Sequence, residues 1–499
     1  MGPVTGRVDL GGGAQFADLQ VLAKLTDLEC GAVTGPPVTA LIMAAGQGTR
    51  MRSSLPKVLH PVCGRPMIAW PVLAAREAGA DRVAVIVSPE RDLSGALPDG
   101  VETVEQAESN GTGGAVRSAI EIVRESRRVL VLSGDVPLIS ADVITRLLAS
   151  QEESGASATV MTAILDDPGS YGRIVRGGDG TIRKIVEAKA EGDATHEELA
   201  IREINSGTYV FEGESLASAL GELSSDNAQG EYYLTDVIAV MRSRGELVTA
   251  HVSDDPAINL GVNNRADLSV VETEARRRIL RGHMMDGVTI VDPSSTWIDA
   301  GVTIGRDTRI EPGTSLRGAT EVGEDSVIGP HATIIDSGIG NGCQVIQSYL
   351  NLCELSDGCS VGPFAYLRPG AKLEDGAKAG TFVEIKNSTL GAGSKVPHLS
   401  YIGDADIGTD SNLGAGTITA NYDGREKHRT RIGSNVRIGV DTMLVAPVDV
   451  GDGAYTGAGA VIRDNVPPGA LSVSGNDQRN LDDYAERLAA REAEGESSQ

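Results

Sequence analysis

From residue 298 to residue 462 an aliphatic side chain keeps returning at every sixth position. Ile298, Ile304, Ile310, Leu316, Val322, Ile328 and Ile334 form one unbroken series. The spacing resumes at Val361, Leu367, Leu373, Ala379 and Ile385, again at Ile407 and Leu413, and again at Ile432, Ile438, Leu444, Val450, Thr456 and Ile462. Glycine directly follows many of these positions, among them Gly305, Gly323, Gly329, Gly362, Gly414, Gly439 and Gly457. More than fifteen matches in register are too many for a chance run of strands and turns. The pattern predicts a hexapeptide β-helix, in which each unit is one short strand plus a corner. The aliphatic side chain points inward, the small residue lets the backbone turn, and every backbone hydrogen bond runs to the next coil. An aromatic content of 3% fits a prism too thin for large rings. Periodicity does not fix the hand of the coil.

Upstream the texture differs. Residues 38 to 264 alternate β-branched runs (Val38–Met43, Arg82–Val87, Val129–Leu132) with helical patterns (Ala69–Ala78, Gly114–Arg124). Such alternation predicts an α/β domain, a parallel sheet with helices on both faces. Residues 265 to 288 open with a charged, helix-prone run, expected as one helix linking two domains. Residues 1–37 are Gly-rich with one weakly helical piece from Phe16 to Leu28 and end at Gly35-Pro36-Pro37, so they are expected to be a disordered extension. Residues 476–499 form a polar tail. The 499 residues as a whole suit about three domains.

Charge excludes some partners. Lys and Arg total 44 against 69 Asp and Glu, a net charge of −25 that argues against nucleic acid or an anionic membrane surface. No apolar run reaches the roughly 18 residues of a membrane span. Five scattered cysteines without a CxxC pair and no secretory signal predict a cytoplasmic protein without disulfides.

Directly after the first expected strand comes Ala44-Ala45-Gly46-Gln47-Gly48-Thr49-Arg50, then Pro56-Lys57. A Gly-rich turn after a strand can wrap phosphates with backbone N–H groups. The string is neither a P-loop nor a dinucleotide fingerprint. Arg50 and Lys57 beside it suit a triphosphate and the charge of its transition state. The string resembles the signature of nucleotidyltransferases acting on sugar 1-phosphates. Further matches follow in order: Gln106-Ala107-Glu108, Gly111-Thr112-Gly113, Gly134-Asp135-Val136-Pro137, Tyr171-Gly172-Arg173, Ile185-Val186-Glu187, Glu203-Ile204-Asn205-Ser206-Gly207 and Gly261-Val262-Asn263-Asn264-Arg265.

With the hexapeptides, residues 38 to about 480 resemble the bacterial bifunctional family that couples N-acetylglucosamine-1-phosphate uridylyltransferase to glucosamine-1-phosphate acetyltransferase. The resemblance implies a Rossmann-like nucleotidyltransferase domain (38–264), a linker helix (265–288) and a left-handed parallel β-helix (289–475). It implies that Ala44, Ala45, Gly46, Gln106, Gly111 and Thr112 hold UTP, and that Gly172, Glu187 and Asn205 hold the N-acetylated sugar. Asp135 and Asn263 would bind Mg²⁺, an all-oxygen set that suits an ion retaining waters and substrate phosphates. Arg50 and Lys57 would stabilise charge as the sugar phosphate displaces pyrophosphate from UTP.

In the β-helix the resemblance implies a second centre. His398 would be the general base for the amine of glucosamine 1-phosphate attacking acetyl-CoA, since imidazole can take a proton at neutral pH. Glu384 would orient it and the Ala415 N–H would meet the oxyanion. Arg368, Lys386 and Lys427 would hold the sugar phosphate, with Tyr401 and Asn412 on the sugar. Asn421 and Tyr422 in the loop Asn421–Lys427 would reach a neighbouring subunit's site, and Ala458 would border acetyl-CoA. The family assembles as trimers. Two coenzyme positions depart from its pattern. Val440 stands where Ser is frequent, and Gly475 stands where some members carry an Arg that could meet the coenzyme's phosphates.

Three other readings compete. A monofunctional sugar-1-phosphate nucleotidyltransferase with a structural β-helix tail would have no reason to hold His398, Glu384, Lys386 and Asn421-Tyr422 together. A zinc carbonic anhydrase on a β-helix needs three converging histidines, and only His331, His398 and His428 lie in that region. A non-catalytic subunit would not need Arg50, Lys57, Asp135 and Asn263.

Overall fold

The computed structural model describes residues 37–188, 194–226, 229–475, 483–487 and 490. The expectations for residues 1–36, for the helical piece Phe16–Leu28 and for nearly all of the tail 476–499 lie outside the described residues.

The front half is built on one sheet. In chain order its elements are β1 (Val38–Met43), α1 (Ala69–Glu77), β2 (Arg82–Val87), β3 (Glu102–Glu105), α2 (Thr112–Ser118), α3 (Ile120–Glu125), β4 (Arg128–Ser133), α4 (Ala141–Ser154), β5 (Ala158–Ile164), β6 (Arg173–Arg176), β7 (Ile182–Val186), β8 (Glu203–Glu212), α5 (Gly213–Leu220), α6 (Asp236–Ser243) and β9 (Val248–Val252). The sheet order is β9-β5-β8-β4-β1-β2-β3, with β6 joined to β8 and β7 to β6. Alternating side chains serve opposite faces. Leu41, Val129, Val131, Val160 and Phe211 pack under α2, α3, α5 and α6. Ala40, Ile42, Leu130, Leu132 and Val210 pack under α1 and α4.

Three expectations need correction. The sheet is mixed rather than purely parallel, because β8 runs antiparallel to both β4 and β5. The strand-helix alternation lapses after β5, where β6 and β7 form a hairpin across Gly177–Gly180 and no long helix returns the chain. The helix expected over Gly114–Arg124 is two, with Ala119 at the junction (φ −96°).

The linker helix α7 spans Arg265–Met285, capped by the Asn264 side chain, which accepts from the N–H groups of Ala266 and Asp267. Despite its charge it has a buried stripe. Val271 and Ala275 pack with Met51, Val62, Met67 and Val262, while Leu280 joins the β-helix core. Ile279 touches both clusters, so the helix is tied into both cores.

Beyond it, short parallel strands stack into three long sheets, of 11, 10 and 9 strands among the described residues. This is the left-handed parallel β-helix expected. Inward positions such as Ile310, Leu316, Ile328, Ile334, Leu367, Ile402 and Leu413 have at most 2% exposure. The sequence gaps in the repeat are not gaps in the coil. Inward residues continue through Ile339, Val345, Leu350 and Leu355, and through Leu390, Val396 and Ile402. The steps Ile334 to Ile339, Leu350 to Leu355, Ile385 to Leu390 and Ile402 to Ile407 each drop one residue at the corner between the second and third sheets. The loop Asn421–Arg429 is inserted at that same corner, between strands Ile418–Ala420 and Thr430–Ile432.

Candidate active sites

The phosphate loop leaves β1 as its strand ends, with Ala44 N–H still donating to the Ile86 carbonyl (2.8 Å) and Gly134 N–H to the Met43 carbonyl (2.9 Å). A cleft of about 270 Å³ opens there at the carboxyl ends of the parallel strands, where α/β sheets place ligands. Ala44, Ala45, Gly46, Lys57, Gln106, Gly111, Thr112 and Asp135 all line it, joined by Ser109, Ser133 and Glu231, which the motifs did not single out. Gly111 has φ +97°, and a Cβ there would stand 2.5 Å from the Tyr232 carbonyl, so only glycine fits that wall. Gln106 donates to the Gly111 carbonyl (3.2 Å).

Asp135 and Asn263 meet through the backbone, as the Val262 N–H donates to the Asp135 carbonyl (2.9 Å). Lys57 Nζ lies 2.5 Å from Asp135 Oδ2, and Arg50 Nη2 donates to Asn263 Oδ1 (2.8 Å). Each oxygen expected to bind metal therefore holds one of the two expected phosphate cations. One carboxylate and one amide oxygen fit Mg²⁺, which needs few protein ligands beside water and phosphate. Among the described residues no cluster of three His, Cys, Asp or Glu side chains could hold a metal. His331, His398 and His428 therefore do not form a zinc site. Sequence reasoning missed Asp267, whose Oδ2 accepts the Asn263 N–H (2.9 Å). Its place three residues past the cap Asn264 was the available signal.

Gly172, Glu187 and Asn205 sit beyond the cleft. Asn205 N–H donates to the Gly172 carbonyl (2.9 Å), and its side chain donates to Tyr209 Oη (2.7 Å). A bulge in β8 between Asn205 and Tyr209, with Gly207 at φ +76°, re-aims Asn205. Thr112 Oγ1 accepts from Leu234 N–H (3.1 Å), and the next residue, Thr235, donates to Glu187 (3.2 Å). One segment thus links the cleft wall at Thr112 to Glu187.

In the β-helix one corner collects residues that are far apart in sequence. The His398 carbonyl accepts from Gly416 N–H (3.3 Å), the Ala415 carbonyl from Asp441 N–H (2.7 Å), and the Val440 carbonyl from Gly459 N–H (2.8 Å). His398, Ala415, Val440 and Ala458 therefore stand above one another on four successive coils, at steps of about 4.8 Å. Among the described residues nothing accepts from the Ala415 N–H, so it is open to an oxyanion. Beside it, one residue further along each coil, runs a second column of Leu399, Phe382 and Phe364, all with left-handed φ (+49°, +56°, +60°) and more than half exposed. The two phenyl rings stack at 5.4 Å. Left-handed backbone is costly for such side chains.

Around the corner, on the second sheet, Glu384 Oε1 accepts from Arg368 Nη1 (2.8 Å). Glu384 is thus engaged with Arg368 rather than with the His398 ring. The buried Asp404 accepts from Asn387 Nδ2 (2.6 Å) and Asn421 Nδ2 (2.5 Å) and lies 3.8 Å from Lys386 Nζ. Burial pushes the Asp404 carboxyl up, but these donors and the nearby cations hold it below the usual carboxylate value. Lys386 in turn pulls the Lys427 ammonium below the ordinary lysine value, so the two cations face one small space. Tyr401 Oη and Asn421 Nδ2 occupy the space a Gly403 Cβ would take, at 2.4 and 2.8 Å. Tyr422 pairs with Lys427 across the loop and is 60% exposed. Asn412 lies on the first sheet, in register between Lys395 and Arg437, not on the sheet that carries Tyr401.

Comparison with known proteins agrees with both halves. Residues 40–232 match the model of the MobA-like NTP transferase domain. Residues 301–336 and 429–464 match the bacterial transferase hexapeptide repeat. A protein of Mycobacterium bovis named "Bifunctional protein GlmU" is 47% identical over 466 residues, 91% of this chain and 94% of the relative. The protein of the same name in Mycobacterium marinum is 47% identical, covering 92% and 96%. That of Mycolicibacterium gilvum is 49% identical, covering 90% and 91%. With a nucleotidyltransferase cleft in front, a hexapeptide β-helix behind and near-complete coverage by these relatives, the chain belongs to the bifunctional GlmU family.

Proposed function

We propose that the two reactions of this bifunctional enzyme, which together make UDP-N-acetylglucosamine, run at the two sites described. Residues 289–475 transfer the acetyl group of acetyl-CoA to the amine of glucosamine 1-phosphate. Residues 38–264 then join N-acetylglucosamine 1-phosphate to the uridylyl group of UTP and release pyrophosphate. The observation that carries this reading is the corner column, because a purely structural tail has no reason to align His398 with an open Ala415 N–H beside Arg368, Lys386 and Lys427.

At the front site the phosphate loop and Gln106, Gly111 and Thr112 hold UTP, and Gly172, Glu187 and Asn205 hold the acetylated sugar. A phosphate oxygen of the sugar attacks the α-phosphorus in line, and no covalent protein nucleophile is required. Mg²⁺, held by Asp135 and Asn263, supplies charge neutralisation on the phosphates. Lys57 and Arg50, now resting on those two ligands, turn to the phosphates instead. At the rear site His398 takes the amine proton as nitrogen attacks the thioester, and Ala415 N–H receives the negative charge of the tetrahedral intermediate. Its collapse breaks the C–S bond, and the coenzyme A thiolate leaves with the proton that His398 returns.

Phe364, Phe382 and Leu399 form an exposed apolar ladder that neighbouring prisms of a homotrimer would cover, with the loop Asn421–Lys427 serving the next site. Among the described residues no helix is long and apolar enough to cross a membrane, and we place the enzyme in the cytoplasm. Incubation with glucosamine 1-phosphate, acetyl-CoA, UTP and Mg²⁺ should yield UDP-N-acetylglucosamine. Nucleotide sugar formed only from pre-acetylated substrate would favour the monofunctional reading.

A further inference from the structure

After β2 the chain turns through Ser88–Asp92, fixed by the Arg91 N–H donating to the Ser88 carbonyl (3.0 Å). No motif marks Arg91, yet its guanidinium reaches the phosphate loop. Nη1 donates to the Gly46 carbonyl and Nη2 to the Gln47 carbonyl, each at 2.7 Å. A planar fork on two successive carbonyls has a geometric consequence. In a trans peptide the C=O and the following N–H point in opposite directions. Holding both carbonyls toward Arg91 therefore aims the N–H groups of Gln47 and Gly48 away from it. Among the described residues neither N–H has an acceptor. The loop also lies tight against Lys57, since a Cβ on Gly48 would stand 2.6 Å from the Lys57 Cβ.

We infer that Arg91 is a positioning residue for uridylyl transfer, pre-setting the loop so that the Gln47 and Gly48 N–H groups receive the outer phosphates of a nucleoside triphosphate. The inference rests on the front site being the uridylyl site. It specifies the ligand chemistry of the loop: β- and γ-phosphates, or free pyrophosphate in the reverse direction, and not the base or the ribose. Lysine cannot replace the fork, because an ammonium is a point charge and not a planar two-pronged donor.

The test uses the full chain with Arg91→Ala and Arg91→Lys, titrated calorimetrically with UTP, pyrophosphate and UMP. Arg91→Ala should weaken UTP and pyrophosphate about tenfold and leave UMP within about twofold. The KM for UTP should rise more than kcat falls, while melting temperature and glucosamine-1-phosphate acetylation stay unchanged. Arg91→Lys should recover only part of the UTP affinity. Unchanged UTP affinity in Arg91→Ala, equal weakening of UMP and UTP, or full recovery by lysine would overturn the inference. Lys57→Ala is the control on the underlying reading. Full uridylyl transfer by that variant would bring down the site itself, whereas its loss alongside normal UTP binding by Arg91→Ala would remove the clamp alone.

Discussion

Replacing Lys57 with alanine should move two measurements in opposite directions. In the ligand-free chain the Lys57 ammonium rests on Asp135 at 2.5 Å, with side chains 12% and 32% exposed. A metal arriving at Asp135 competes with that ammonium. A pair this far out of water is worth more than an exposed ion pair and less than a buried one, about 1 to 2 kcal/mol. Removing the competitor should tighten Mg²⁺ or Mn²⁺ binding to the nucleotide-free enzyme by about 5- to 30-fold. The same substitution takes a cation from the transition state, where one preorganised donor is worth about 10² to 10³ in rate. Calorimetric or paramagnetic Mn²⁺ titration reads the first effect, and pyrophosphate release reads the second. Metal binding that stays the same or weakens, with pyrophosphate release within about threefold of wild type, would refute the arrangement of Lys57 over Asp135.

Three further outcomes are expected at the rear site. Gly403→Ala puts a Cβ where Tyr401 and Asn421 now stand, so acetylation of glucosamine 1-phosphate should fall about tenfold while pyrophosphate release is untouched, both read by steady-state assay. Val440→Ser restores a hydroxyl to the corner column, and the KM for acetyl-CoA should drop about fivefold, the worth of one hydrogen bond. The pH dependence of stability tests Asp404. Its carboxyl is held below the usual value in the fold, so its contribution is complete above the unfolded value near about 3.9 and is lost as pH falls through the folded value. Asp404→Asn should therefore cost about 2 kcal/mol in urea melts at pH 7 and less as the pH is lowered below about 4. A cost independent of pH would mean that the charge is not what holds Asn387 and Asn421.

The β-helix was legible because its inward residues are aliphatic and its period is short. Its irregular coils were not, because a one-residue deletion at a corner shifts the count without disturbing the stack, as from Ile334 to Ile339. The linker helix was visible as charge, but its buried stripe of Val271, Ala275 and Leu280 is too sparse to stand out. The mixed sheet was hidden because strand polarity depends on which strands become neighbours, and β8 inserts between two strands that precede it. In the front site the motifs were readable as short strings, and the structure gathers Ala44, Ala45, Gly46, Lys57, Gln106, Gly111, Thr112 and Asp135 from four of them at one cleft. Arg91 escaped because it acts on backbone groups, which leave no pattern in side-chain spacing, whereas Asp267 left only its position three residues past the cap Asn264. The corner column was readable only as separate motifs, since its order depends on coil stacking and not on distance along the chain.

The central claim is that two independent reaction centres share one chain, and mixing two variants tests it. Asp135→Ala should acetylate glucosamine 1-phosphate and make no nucleotide sugar. His398→Ala should convert N-acetylglucosamine 1-phosphate at the wild-type rate and make nothing from glucosamine 1-phosphate. Combined with acetyl-CoA, UTP and Mg²⁺, the two should produce UDP-N-acetylglucosamine from glucosamine 1-phosphate after a lag, because the acetylated intermediate diffuses from one variant to the other. A mixture that forms no product, or either single variant losing both reactions while remaining folded, would contradict the account.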